Sequence, residues 1–171
     1  LATGDVRQLG LRLGALVGEA GKARAYADSR RINLDAVAEQ ATRLSIRPKV
    51  YFEEWDDPLI SGIQWVAELV RIAGGDDILP ELAAEPLARN RIMADGGKVI
   101  ERNPDIIFGS WCGKKFRPEK VACRPGWQGI AAVRNRQLFE IKSPLILQPG
   151  PAALSDGVNA MAAYIHAWSK A

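Results

Sequence analysis

From Ala20 to Leu44 small and aliphatic residues recur at helical spacing, and the first firm stop is Arg47-Pro48. Ala20, Ala23, Ala27, Leu34, Val37, Ala38, Ala41 and Leu44 trace one stripe. That stripe predicts a helix of about 25 residues, roughly 40 Å long at 1.5 Å per residue. Proline ends it because the residue before a proline is driven out of helical geometry. A helix of this length exceeds what a small domain needs and reads as a strut between two bodies. Its polar face carries Arg24, Arg30, Arg31 and Arg43. Upstream, Val6, Leu9, Leu13, Leu16 and Val17 predict a shorter helix with Asp5 as its N-cap. Gly18 and Gly21 separate the two helices.

Beyond the strut the pattern changes to alternation. Lys49 to Glu53 reads as a strand, and Glu54 to Pro58 as a loop at its carboxyl end. Ile63, Val66, Ala67, Val70 and Ala73 predict a helix stopped by Gly74-Gly75. Residues 76–94 read as irregular, broken by Pro80 and Pro86, and a short helix follows over 97–102. The apolar run Ile106-Ile107-Phe108 has the character of a buried parallel strand. Its exit loop contains Ser110, Trp111 and Cys112; a short basic helix and the turn Arg124-Pro125-Gly126-Trp127 come next. Leu138 to Ile141 is the third strand, with 142–150 as its exit loop. Pro151 opens a closing helix carrying Leu154, Val158, Met161, Ile165 and Trp168. Strand and helix in turn predict an α/β fold: a three-layer, Rossmann-like lobe with a mostly parallel sheet, preceded by a long connecting helix.

Several chemistries are disfavoured at once. His166 is the only histidine, and Cys112 and Cys123 stand eleven positions apart outside any Cys-x-x-Cys pair, so a zinc site is not expected. The two cysteines fit either one disulfide or two buried thiols. His166 falls in an apolar helical stretch and reads as a packed or solvent-edge histidine rather than a triad member. No glycine-rich phosphate loop follows a strand. The formal charge of +3 does not call for nucleic acid. No run reaches the roughly 18 apolar residues of a membrane span. Residues 1–5 lack a basic flank before an apolar run, so no signal peptide is visible. Starting at Leu1, the sequence reads as the remainder of a longer chain.

Open parallel sheets bind ligands beyond the carboxyl ends of their strands. The three exit loops bring Glu54, Trp55, Ser110, Trp111, Ser143 and Gln148 to that edge, with Trp127 on a nearby turn. Trp55 and Trp111 could stack on a ligand or pack on neighbouring loops, and Glu54 could accept hydrogen bonds or be solvated. Trp127 is equally a packing anchor. The basic run Lys114, Lys115, Arg117, Lys120 and Arg124 could steer anions, but such runs are more often the solvated face of a helix. The pairs Asp56-Asp57 and Asp76-Asp77 are sequence neighbours whose carboxylates need not converge.

Taken in order, five segments resemble the periplasmic binding proteins of vitamin B12 and ferric-siderophore ABC importers. They are Arg47 to Glu53 after the long helix, Ala73 to Ile78, Glu101 to Ile107, Arg124 to Trp127, and Ala131 to Leu138. The resemblance covers nearly the whole chain. It implies two α/β lobes joined by one rigid helix, with the ligand between them. Residues 1–18 would be the last helix of an N-terminal lobe otherwise missing, 19–46 the connecting helix and 47–171 the C-terminal lobe. It further implies a non-enzymatic, monomeric receptor outside the cytoplasm, without a cofactor of its own. Such a receptor delivers a corrinoid, haem or ferric chelate to a membrane permease. Family members carry a permease-docking glutamate on each lobe; the corresponding position here is Gly97, with Asp95 and Glu101 nearby. Two other readings stand beside this one. The chain could be an α/β enzyme of chelatase or reductase type, or an interaction module pairing through its long helix.

Overall fold

The computed structural model describes residues 2–170. Helix α1 (Thr3–Leu16) turns back at Gly18 (φ +76°) onto the long helix α2 (Ala20–Ala41). The two helices approach so closely that a Cβ on Gly14 would overlap the methyl of Ala23. Helix α2 ends earlier than its apolar stripe predicts. Leu44 lies in the turn that follows, over Gly74, whose φ of +100° suits glycine.

The sheet is built from β1 (Lys49–Asp56), β2 (Leu59–Ser61), β3 (Asp76–Asp77), β4 (Ile92–Met93), β5 (Ile106–Gly109) and β6 (Leu138–Glu140). Strands β3, β1, β5 and β6 run parallel; β2 pairs antiparallel with the far half of β1, and β4 with β2. The helices between them are α3 (Gln64–Ile72), α4 (Pro80–Ala83), α5 (Gly97–Arg102), α6 (Pro118–Ala122), α7 (Ala131–Arg134) and α8 (Ser143–Ile146), and α9 (Val158–Trp168) closes the chain. The mostly parallel, Rossmann-like sheet expected from the sequence is therefore present.

Strand alternation sorts side chains into two cores. Val50, Phe52, Ile106 and Phe108 face α3 and α9, with Val37 of α2 and Val6 of α1 joining them. Tyr51 and Ile107 face the other way, toward Val99, Val121, Trp127 and Ile130. The indole of Trp65 on α3 donates to the Ile146 carbonyl at 2.9 Å, tying α3 to α8.

Several segments differ from expectation. The exit loop expected over 142–150 contains α8, and the closing helix begins not at Pro151 but at Val158, after a π-helical turn over Ala153–Gly157. Residues 54–58 do not form a free exit loop: β1 continues to Asp56 and turns through Asp57-Pro58 into the antiparallel β2. Residues 76–94 are ordered into β3, α4, a 3₁₀ turn over Ala88–Arg91, and β4. The hairpin was hidden because β2 is only three residues long and Pro58 stands directly before it. Cys112 and Cys123 are neither bonded nor buried; both are free and exposed.

Candidate ligand site at the carboxyl edge of the sheet

Glu53 is the last residue of β1 before its register shifts, and its side chain is fully buried. A carboxylate there must be matched, and it is. Arg124 grips it from two nitrogens, at 2.6 and 2.8 Å, and Trp111 Nε1 donates to it at 3.0 Å. The Arg124 guanidinium also stacks on Trp127, 4.5 Å from the ring centre. Burial alone would pull the pKa of Arg124 down, but the hydrogen bonds and charge of Glu53 outweigh it and hold it up. Tyr51 Oη lies buried on the same face without a hydrogen-bond partner. Burial, reinforced by the Glu53 charge, pushes this phenol well above its ordinary range.

The neighbouring carboxylate faces another partner. Between Glu53 and Trp55 the β1–β2 register slips, a bulge that re-aims the intervening side chain. Glu54 accepts the Ile63 amide at 2.8 Å and pairs with the buried Arg91 at 2.8 Å. Arg91 also donates to the Ser61 carbonyl. Burial raises the pKa of Glu54, opposed by Arg91 and the Ile63 amide.

Beyond these two buried pairs lies the rim. Trp55 is half-buried, its Nε1 donating to the Asp57 carbonyl at 2.8 Å. Lys114 Nζ stands 4.2 Å from the Trp55 ring centre and 5.4 Å from that of Trp111, and forms an ion pair with Asp56. Beside it opens a depression of about 320 Å³ whose walls include Trp111, Lys114, Lys115, Lys142, Glu140 and Ser143. Three ammonium groups thus face one carboxylate, and Glu140 is itself 3.4 Å from Lys142. The arrangement suits a non-covalent ligand with anionic oxygens and some flat apolar surface.

The residues singled out in the sequence are not all brought together. Trp111, Ser143 and, through Lys114, Trp55 meet at the depression. Ser110 is buried behind them, its hydroxyl without a partner and its amide bonded to the Glu53 carbonyl at 2.8 Å. Trp127 is buried in the second core, edge-on to Tyr51, and lies outside the depression. Gln148 is exposed on the segment after α8, also outside it. Both oxygens of Glu54 are occupied, and Trp111 is itself buried, its ring packed at 67° on Phe116 and its nitrogen held by Glu53.

The basic run proves to be mixed. Lys114, Lys115 and Arg117 precede α6 rather than riding on it, and Arg124 is the counter-ion of Glu53. Lys142 and Glu53 went unrecognised in the sequence. Glu53 left a trace: a carboxylate directly after Val50-Tyr51-Phe52 in a strand buried on both faces needs a cation. Among the described residues no group of three His, Cys, Asp or Glu side chains is placed to hold a metal ion.

Residues 6–145 match a protein family described as periplasmic binding protein. A possible iron-binding, periplasmic solute-binding protein from Staphylococcus epidermidis superposes with a TM-score of 0.79 at 17% identity, over 96% of this chain and 63% of that one. The S. aureus protein IsdE, solved in complex with heme, gives 0.80 at 17% identity, over 96% and 65%. The vitamin B12 binding protein BtuF of Vibrio cholerae gives 0.70 at 18% identity, over 97% and 63%. The chain thus spans less than two thirds of the length of these proteins. No curated protein matches its sequence. At these identities the superpositions speak for the fold, and the match over residues 6–145 for the lineage: the chain belongs to the periplasmic binding protein family.

Proposed function

We propose that this chain is the C-terminal lobe and linking helices of the solute receptor of an ABC importer, one that captures a metal chelate outside the cytoplasm. The observation that carries the reading is the rim of Trp55, Trp111, Lys114, Lys115 and Lys142 at the carboxyl edge of a parallel sheet. In folds of this kind that edge is where ligands lie. Structural relatives described as a complex with heme, a vitamin B12 binding protein and an ABC-type Fe3+-hydroxamate transport system support a cargo of that class. The rim favours binding without reaction: its rings are fixed, and its ammonium groups outnumber the single carboxylate beside them, which suits holding an anionic ligand. A second lobe would face the rim and complete the enclosure. The exposed apolar side chains Leu9, Leu13, Leu16 and Val17 on and just after α1 offer surface for such a lobe to pack on. Delivery would be to a membrane permease, with exposed Asp95 and Glu101 as the acidic groups nearest the family's docking position.

Tryptophan-fluorescence titration with haem, cobalamin, cobinamide and ferric siderophores tests the proposal. Saturable quenching by one of them, reduced at least severalfold in amplitude by Trp55→Phe, is the expected result. Unchanged emission with every chelate would overturn it.

A further inference from the structure

Within that reading, on which this inference rests, we propose that Lys114 is the specificity-determining residue of the rim. It closes the Trp55 face to plain flat surfaces and opens it to ligands that carry an anionic oxygen beside a flat one. The two rings are fixed and the cation is not. Trp55 is tethered through Nε1 to the Asp57 carbonyl at 2.8 Å, and Trp111 through Nε1 to Glu53 at 3.0 Å with Phe116 against it. Lys114 follows Gly113, which takes φ of +76°, and its side chain is 39% exposed on a flexible four-carbon stem. At rest its ammonium occupies the Trp55 face at 4.2 Å and is held by the Asp56 carboxylate. Stacking a ligand on Trp55 therefore means moving the chain's own cation.

The cost of that move depends on the ligand. A neutral plane evicts the ammonium from both the indole and Asp56 and offers nothing in return. A carboxylate or catecholate oxygen replaces Asp56 as the partner of Lys114, with Lys115 and Lys142 within the same depression. One cation–π contact and one partly buried ion pair together set the discrimination at about tenfold in Kd. Asp56 acts as the competing anion, so its removal should favour the ligand.

The test uses pairs matched in shape and different in charge. One is haem against its dimethyl ester; the other is an anionic ferric tricatecholate against an uncharged ferric trihydroxamate. The unsubstituted protein should bind the anionic member of a pair about tenfold more tightly. Lys114→Met should erase that preference from both sides, weakening the anionic ligand and strengthening the neutral one, whereas Asp56→Asn should strengthen the anionic ligand. A preference that survives Lys114→Met, or its absence in the unsubstituted protein, overturns the proposal while leaving the chelate receptor standing. If no chelate binds either protein, the receptor reading falls and this inference with it. Iodide against acrylamide quenching reads the geometry without a ligand. The cation over Trp55 should favour iodide, and Lys114→Met should remove the advantage without changing the circular dichroism spectrum. Equal iodide quenching in both proteins would show that Lys114 does not cover the ring.

Discussion

Arg124 holds Glu53 from two nitrogens while its flat face lies on Trp127, so one side chain serves a charge and an aromatic core together. Removing it does more than delete a contact. It leaves a fully buried carboxylate with only the Trp111 indole as donor, and breaking a buried pair from one side costs about 3–5 kcal/mol. Arg124→Met should therefore lower unfolding free energy by about that amount in urea, and Glu53→Gln added to it should restore a good part. A loss below about 1 kcal/mol would mean that water reaches Glu53 after all. Asp77 gives the opposite sign. Burial lifts its pKa from 3.8 to about 6, the Leu79 amide opposing. An acid whose folded pKa is raised binds its proton more tightly when folded, so stability falls as pH rises from about 4 to about 6 and stays lower above that. At about 1.4 kcal/mol per pKa unit, the penalty at neutral pH is on the order of 3 kcal/mol. Asp77→Asn keeps an oxygen for the Leu79 amide and removes the charge. Its melting temperature should exceed that of the parent at pH 7.5 and match it near pH 4; a difference independent of pH would refute the assignment.

Elements were legible where a single periodicity ran long enough. The stripe that opens at Ala20, the run Ile106 to Phe108 and the closing pattern Leu154 to Trp168 became helix, strand and helix, although α2 stops at Ala41 short of Leu44 and a π-helical turn over Ala153–Gly157 precedes α9. The β1–β2 hairpin did not, because Trp55 and Asp56 continue a strand whose outer partner is only three residues long. Local sequence holds no record of that pairing. The candidate site divides along the same line. That Trp55, Trp111 and Ser143 come to the carboxyl edge follows from strand order, which alternation makes readable. Which loop aromatic ends buried does not: Trp127 sinks because Gly96 leaves room beneath it, where a Cβ would overlap the indole. Arg124 looked like part of a solvated basic face because its counter-ion lies 71 positions away. Contacts at that distance are fixed by the tertiary fold and leave only a compositional trace, here a carboxylate at the end of an apolar strand.

At the scale of the molecule, two cores share one sheet, and β1 and β5 contribute to both by alternation alone. Phe52 and Phe108 belong to the first core, Tyr51 and Ile107 to the second. If these two strands come apart, both cores lose part of their packing at once. Helices α1 and α2 are bound into the first core through Val6 and Val37, through Thr3 Oγ1 donating to Glu68 at 2.7 Å, and through Asn33 donating to the Leu154 carbonyl at 3.1 Å. Unfolding should therefore be a single cooperative event, as in most single domains of this size. The tryptophans allow a direct check, since Trp65 and Trp168 report on the first core and Trp55, Trp111 and Trp127 on the second. Trp65→Phe silences a buried reporter in the first core, and Trp127→Phe one in the second. In urea, fluorescence and far-ultraviolet circular dichroism midpoints should coincide within each variant, even where the substitution lowers stability. Fluorescence and dichroism midpoints that separate in either variant would show that the shared strands do not couple the two cores. A dichroism transition with an early helical phase, ahead of both fluorescence signals, would instead mean that α1 and α2 come away from the lobe before the sheet melts.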